Sequence, residues 1–226
     1  MKLAILAANG QIARIVENRI LNEDQFKDVK LTLMLRNSNR LSDLADNPRV
    51  TIIEGDLNNP ADVEKAVKGQ DMVFNAVIDH DDAGHNRPTH NIIDAMKKDG
   101  VNRLILTNLL GIYDEVPGKF GKWNRDTCFG GTVTDDNAAV ISDKLAAESG
   151  LDYTTLRLPW LNDRDEVKYT ITHKDDEFVG VSGSRQSIAD VVLKIVADPT
   201  FGSNDSLGIA DPDTQGSNRQ IGRAHV

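Results

Sequence analysis

Six short apolar runs, separated by segments of helical period, constrain this chain more than any other feature of its sequence. They read "LAILA" (3–7), "LTLML" (31–35), "VTIIE" (50–54), "MVFNAVI" (72–78), "RLILTNL" (103–109) and "YTTLRL" (153–158). Each is nearly continuous in apolar character, as strands covered on both faces must be. Between them, Ile12, Ile15, Val16 and Ile20 recur at helical spacing. Pro60 and Gly69 bracket "ADVEKAVK". Further helices are expected from about Thr89 to Lys98, from about Asp136 to Glu148, and over "SIADVVLKIVADP" up to Pro199. Strands alternating with helices predict an α/β fold with a doubly wound parallel sheet in a single domain. Its expected extent is 1–210. The segment Gly111 to Thr134, rich in Gly, Lys and Asp, reads as a long loop or lid. Residues 211–226 lack an apolar period and read as a peripheral or disordered tail.

The 226 residues suffice for a core, since a single domain of this length buries roughly 70–75% of its extended-chain surface. The formal charge of −9 argues against nonspecific nucleic-acid binding and against an anionic membrane surface. No apolar run approaches the roughly 20 residues of a membrane span. The run after Lys2 is broken by "NGQ" too early for a signal peptide. The single cysteine, Cys128, fits a reducing, cytoplasmic setting. The partner expected is a small-molecule substrate, with neither nucleic acid nor membrane.

The first apolar run meets "AANGQIA" before a helical pattern, the place where a strand-turn-helix phosphate site lies. Three glycines normally serve such a site: one for the turn, one for close approach of the pyrophosphate, one for helix packing. Only the middle position, Gly10, is glycine here; Ala7 and Ala13 stand at the others. Alanine fits if the turn keeps a negative φ at Ala7 and if packing leaves room for a methyl at Ala13. An ordinary strand-to-helix turn would read the same way. Three later features join it. The second strand ends in Arg36, which suits a 2′-phosphate better than a bare ribose, and no acidic residue occupies "LRNSNR". The third strand ends in "EGDL", placing Asp56 and Leu57 at the same edge, where Asp56 would otherwise cap the helix at Pro60. The fourth ends in "FNAV", with small Ala76 where backbone can approach a ligand. All four fall at C-terminal strand ends, the edge at which open α/β sheets bind ligands.

The ordered segments "AANGQIAR", "LRN", "EGDL", "FNAV", "ILTNLLGIYDE", "ESGLDYTTLRLPWL" and "SRQSIADVV" resemble the atypical short-chain dehydrogenase/reductases, and among them the bacterial NmrA-like NAD(P)H-binding proteins. The resemblance covers about residues 1–210 and implies a Rossmann-like fold. It implies that the Asn9, Gly10, Gln11 and Ile12 backbone cradles the pyrophosphate of NADP(H), preferred over NAD(H). It places Arg36 at the ribose phosphate, Asp56 and Leu57 at the adenine, and Ala76 and Thr107 beside the nicotinamide ribose. The family's Leu-Arg-Pro-x-Trp-Leu reads "LRLPWL" here. Its proline stands one place later, at Pro159, where the nicotinamide contact is implied.

The family's usual proton donor is a tyrosine with a lysine four residues on, sharing one helix face. Pro117, Arg157 and His173 follow Tyr113, Tyr153 and Tyr169 at that spacing, so the pair is absent. Lys144 reads as a solvated residue of its helix. Thr107 and Asn108 stand where the partner serine is expected, and Tyr113 is the one tyrosine near the active edge. These three are the catalytic candidates, although Tyr113 reads first as a loop aromatic covering the core. "DHDDAGHNRPTH" gathers His80, His85 and His90 with Asp79, Asp81 and Asp82, but it offers no ligand spacing that specifies a metal, and none is expected. Trp123 and Trp160 read as core residues or as the lining of an aromatic cavity. Two functions follow: an NADP(H)-dependent reductase of a small carbonyl, quinone or flavin, or a non-catalytic NADP(H)-binding redox sensor or regulator.

Overall fold

The computed structural model describes residues 1–79 and 85–217. The phosphate-loop end of the chain comprises β1 (Lys2–Leu6), α1 (Gln11–Asn22), β2 (Lys30–Leu35), β3 (Val50–Glu54), α2 (Pro60–Val67) and β4 (Met72–Asn75). Then follow α3 (Arg87–Asp99), β5 (Arg103–Leu109), α4 (Gly118–Cys128), α5 (Ala138–Glu148) and β6 (Asp152–Leu158). The chain closes with β7 (Trp160–Asn162), β8 (Thr170–Thr172), β9 (Ser182–Ser184), α6 (Arg185–Ala197) and β10 (Asp205–Ala210). Eight strands form one sheet in the order β3-β2-β1-β4-β5-β6-β10-β8, and β7 pairs with β9 beside it. Every pairing in the large sheet is parallel except β10 with β8. The strand order reverses direction between β1 and β4, which opens a crevice at their C-terminal ends.

The expected strands form because their side chains are covered on both faces. Leu3, Ala4, Ile5 and Leu6 of β1 are all fully buried, shared between the core on the α1–α6 side and the core on the α2–α3–α5 side. Helix α1 buries Ala13, Val16 and Ile20. Asn59, rather than Asp56, caps α2: its Oδ1 accepts from the Ala61 N–H at 3.0 Å, with Pro60 in the first turn. Asp56 instead accepts from the Asn58 N–H at 2.8 Å and shapes the turn before it.

Two stretches depart from the sequence expectations. The segment expected as a loop contains α4, held by tertiary contacts: Phe120 stacks on Trp123 at 5.7 Å between centroids, and Trp123 meets Trp160 edge-on at 5.0 Å. Strand β10 has no counterpart among the six apolar runs, because Gly208 interrupts its apolar character. A Cβ there would lie 2.3 Å from Thr172 Oγ1 and 2.7 Å from the Phe178 ring. The start of the expected tail is docked. The Thr214 hydroxyl accepts from the Val181 and Ser182 N–H groups at 2.8 and 3.1 Å. The rest of that segment, from 218, lies outside the described residues.

Candidate nucleotide site

The turn after β1 reverses the usual allocation of glycine. Ala7 adopts φ +61°, the left-handed region that disfavours a side chain by roughly 1–2 kcal/mol. The negative φ that alanine needs is therefore not kept. Gly10 has φ −65° and ψ 153°, which any residue adopts. A Cβ built on Gly10 would meet only Ala7 O at 3.5 Å and Ala76 O at 3.9 Å, both ordinary contacts. The fold thus tolerates a side chain at position 10. Behind it, the first turn of α1 has no side-chain cap and no acidic residue, so its N–H groups and positive dipole end remain available to phosphate. Ala13 is fully buried with its methyl accommodated in the core.

Around this turn the predicted residues converge. With the Asn9 amide turned to place its oxygen toward Arg40, Oδ1 accepts from Nε at 3.0 Å and Nη2 at 2.9 Å, which sets the Arg40 guanidinium against the loop. Arg36 is exposed and makes no hydrogen bond or ion pair among the described residues. Gln11 is exposed, whereas Ile12 packs partly into the core. Ala76 follows β4 and donates its N–H to Leu6 O at 3.0 Å, across the β1–β4 crevice. Asp56 and Leu57 are half-buried just beyond β3. An acid does reach "LRNSNR": Glu54, at the end of β3, accepts from both the N–H and the hydroxyl of Ser38. The rim is free of acids along its own segment, but not once the neighbouring strand is in place.

At the other side of the crevice, Thr107 is 4% exposed on β5 and Pro159 is buried between β6 and β7. Asn108 is fully buried; its Nδ2 donates to Ala139 O at 2.9 Å and its Oδ1 accepts from the Leu109 N–H at 2.8 Å. Those bonds tie β5 to α5 rather than presenting the amide to a ligand. Tyr113 is engaged by α5, donating to Asp143 Oδ2 at 2.6 Å. Burial and then the Asp143 carboxylate push its phenol well above the ordinary tyrosine value, so it holds its proton tightly. Lys144 is exposed. His80, Asp81 and Asp82 lie outside the described residues. Asp79 accepts from the Thr89 N–H and hydroxyl at 3.1 and 2.6 Å. Among the described residues no three His, Cys, Asp or Glu groups are arranged to hold a metal ion.

A family profile described as NAD(P)H-binding matches residues 7–199. The chain belongs to that family. A short-chain dehydrogenase/reductase of Veillonella parvula, solved in complex with NADP, is 28% identical with a TM-score of 0.82, covering 95% of this chain and 96% of that one. A Rossmann-fold NAD(P)-binding protein of Shigella flexneri is 30% identical with a TM-score of 0.74, covering 95% of each chain. Quinone oxidoreductase 2 of Escherichia coli is 24% identical over 182 residues. That match takes in 80% of this chain, which spans just over half (56%) of the relative's length. The family's nucleotide fits the geometry here: an open approach at Gly10, an uncapped helix start and an Arg36 with no partner among the described residues. Among the described residues no helix is long and apolar enough to cross a membrane.

One buried acid lies directly behind the loop. Glu17 is 1% exposed on α1, and burial pushes its carboxyl up to about 7 despite the Arg14 guanidinium at 3.1 Å. Arg14 also pairs with Asp43, whose charge opposes ionisation of Glu17. The native state therefore keeps the Glu17 proton between its ordinary value near 4.5 and about 7, while the unfolded chain loses it. Stability falls as pH rises through that window and levels off above it. Glu17→Gln should raise unfolding free energy at pH 8 by roughly 1–3 kcal/mol and by much less near pH 4, as read from denaturant melts at both pH values.

Proposed function

We propose that the protein is an NADP(H)-dependent reductase of a small carbonyl, quinone or flavin. The observation that carries this reading is the conformation of Gly10: the fold makes no demand for glycine there, and close approach of a pyrophosphate does. In this reading the Asn9–Ile12 backbone and the start of α1 hold the pyrophosphate. Arg36 takes the 2′-phosphate through its planar fork, and Asp56 and Leu57 flank the adenine. Ala76, Thr107 and Pro159 border the nicotinamide end. The nucleotide, when bound, supplies a hydride to an acceptor. The protein orients the two and excludes water.

No tyrosine stands ready to protonate a product, since Tyr113 is held by Asp143 and α5 has no tyrosine. Thr107 contributes a hydroxyl at the right strand end. An acceptor whose reduction depends little on an enzyme acid, such as a quinone or flavin, suits this arrangement. The name of the Escherichia coli relative agrees with it. The same lack of an acid also favours the sensor reading. NADPH oxidation followed by the nicotinamide absorbance across benzoquinones, flavins and aldehydes separates the two. Turnover should appear with quinones or flavins and be weakest with aldehydes. Cofactor binding without turnover on any acceptor would leave the non-catalytic reading in its place.

A further inference from the structure

The rim where the ribose end of the nucleotide would lie contains two opposed charges. Arg36 directly follows β2, and Glu54 closes β3 beside it, with Leu35 and Glu54 paired in the sheet. The two do not pair with each other. Glu54 Oε2 instead accepts from Ser38 N at 3.0 Å and from Ser38 Oγ at 2.7 Å. Ser38 lies two residues past Arg36, so its two donors sit on the same short rim as the guanidinium. The Ser38 hydroxyl, and then its N–H, hold the carboxyl of Glu54 below the ordinary value, so it is ionised throughout the neutral range.

We propose that Glu54 sets the cofactor selectivity of this chain by opposing Arg36: held at the rim by Ser38, it places a negative charge beside the 2′-phosphate. A bare ribose can donate a hydroxyl to a carboxylate; a phosphate dianion can only be repelled by it. Arg36 therefore draws the chain toward NADPH while Glu54 pulls it back toward NADH. The effect is electrostatic and exposed to solvent, so salt must weaken it. The inference rests on the reading that a nicotinamide nucleotide binds at this edge.

Glu54→Gln tests it, because glutamine keeps an acceptor for Ser38 while removing the charge. NADPH and NADH are titrated into wild type, Glu54→Gln and Arg36→Ala at about 50 mM and about 500 mM salt, where the Debye length shrinks from roughly 14 Å to roughly 4 Å. Glu54→Gln should tighten NADPH by roughly three- to tenfold at low salt, leave NADH within about twofold, and lose most of the gain at high salt. Arg36→Ala should move the preference the other way. A Glu54 that merely braces the loop would move both cofactors together. An unchanged NADPH-to-NADH ratio, or equal movement of both, overturns the proposal while the nucleotide site stands. Wild type that binds neither cofactor removes the site itself and the proposal with it.

Discussion

Gly10→Val should fold and fail to bind NADPH. The backbone at position 10, φ −65° and ψ 153°, is extended and suits a β-branched residue. A Cβ at this position meets nothing closer than 3.5 Å. Substitution therefore leaves unfolding free energy within about 1 kcal/mol of wild type. The added methyl groups project from the exposed outer side of the turn, where the pyrophosphate must approach the α1 N–H groups. Loss of that contact removes several charge-assisted hydrogen bonds at roughly 1.5–3 kcal/mol each, so affinity should fall at least about a hundredfold. Paired thermal melts and fluorescence titrations give the answer. A variant that melts like wild type and binds NADPH normally would show that the turn is only a turn.

The largest effect on stability is expected far from that loop. Arg157 on β6 is fully buried and pairs with Glu115 at 2.8 Å, whose side chain is 4% exposed. Arg157 Nη2 also donates to the carbonyls of Thr172, His173 and Ser206 at 3.0, 2.8 and 3.0 Å. Glu115 accepts from the N–H groups of Gly111 and Tyr113 at 2.9 and 3.0 Å, which fixes the turn between β5 and α4. Glu115→Ala leaves the buried guanidinium without its counter-charge and two N–H groups without acceptors. The expected loss is about 3–5 kcal/mol, or roughly 6–20 °C in Tm for a chain of this size. Urea unfolding of Glu115→Ala decides it. A loss below about 1 kcal/mol would mean that water replaces the carboxylate and that the pair adds little.

These two sites differ in how far the sequence reveals them. The alternation of apolar runs and helical periods is enough to locate β1 to β6 within a few residues, because strands buried on both faces have few other compositions open to them. Gly10 stands out for the same local reason: it sits between a strand and a helix. Interactions between distant residues leave no such mark. Glu115 and Arg157 are 42 residues apart and Ser38 and Glu54 are 16 apart, so neither pair has a sequence period. Arg157 within "LRL" reads as a polar position of a strand, yet its charge lies inside because Glu115 folds back over it. Helix α4 is hidden by Gly118 and Gly121. A Cβ at Gly121 would lie 1.8 Å from Val116 O, so tight packing of the preceding turn selects a residue that otherwise signals a loop. Ala7 gives no hint of its left-handed backbone, since its Cβ makes that conformation costly and nothing local marks the exception.

Whether a loop with one glycine holds a nicotinamide nucleotide is the central question, and a crystal structure of the protein grown with NADPH answers it most directly. The pyrophosphate should lie against Gly10 and the N–H groups of Gln11 and Ile12, the 2′-phosphate against Arg36, and the nicotinamide between Ala76, Thr107 and Pro159. A nucleotide bound elsewhere on the protein, or a loop left empty at saturating NADPH, would contradict the account.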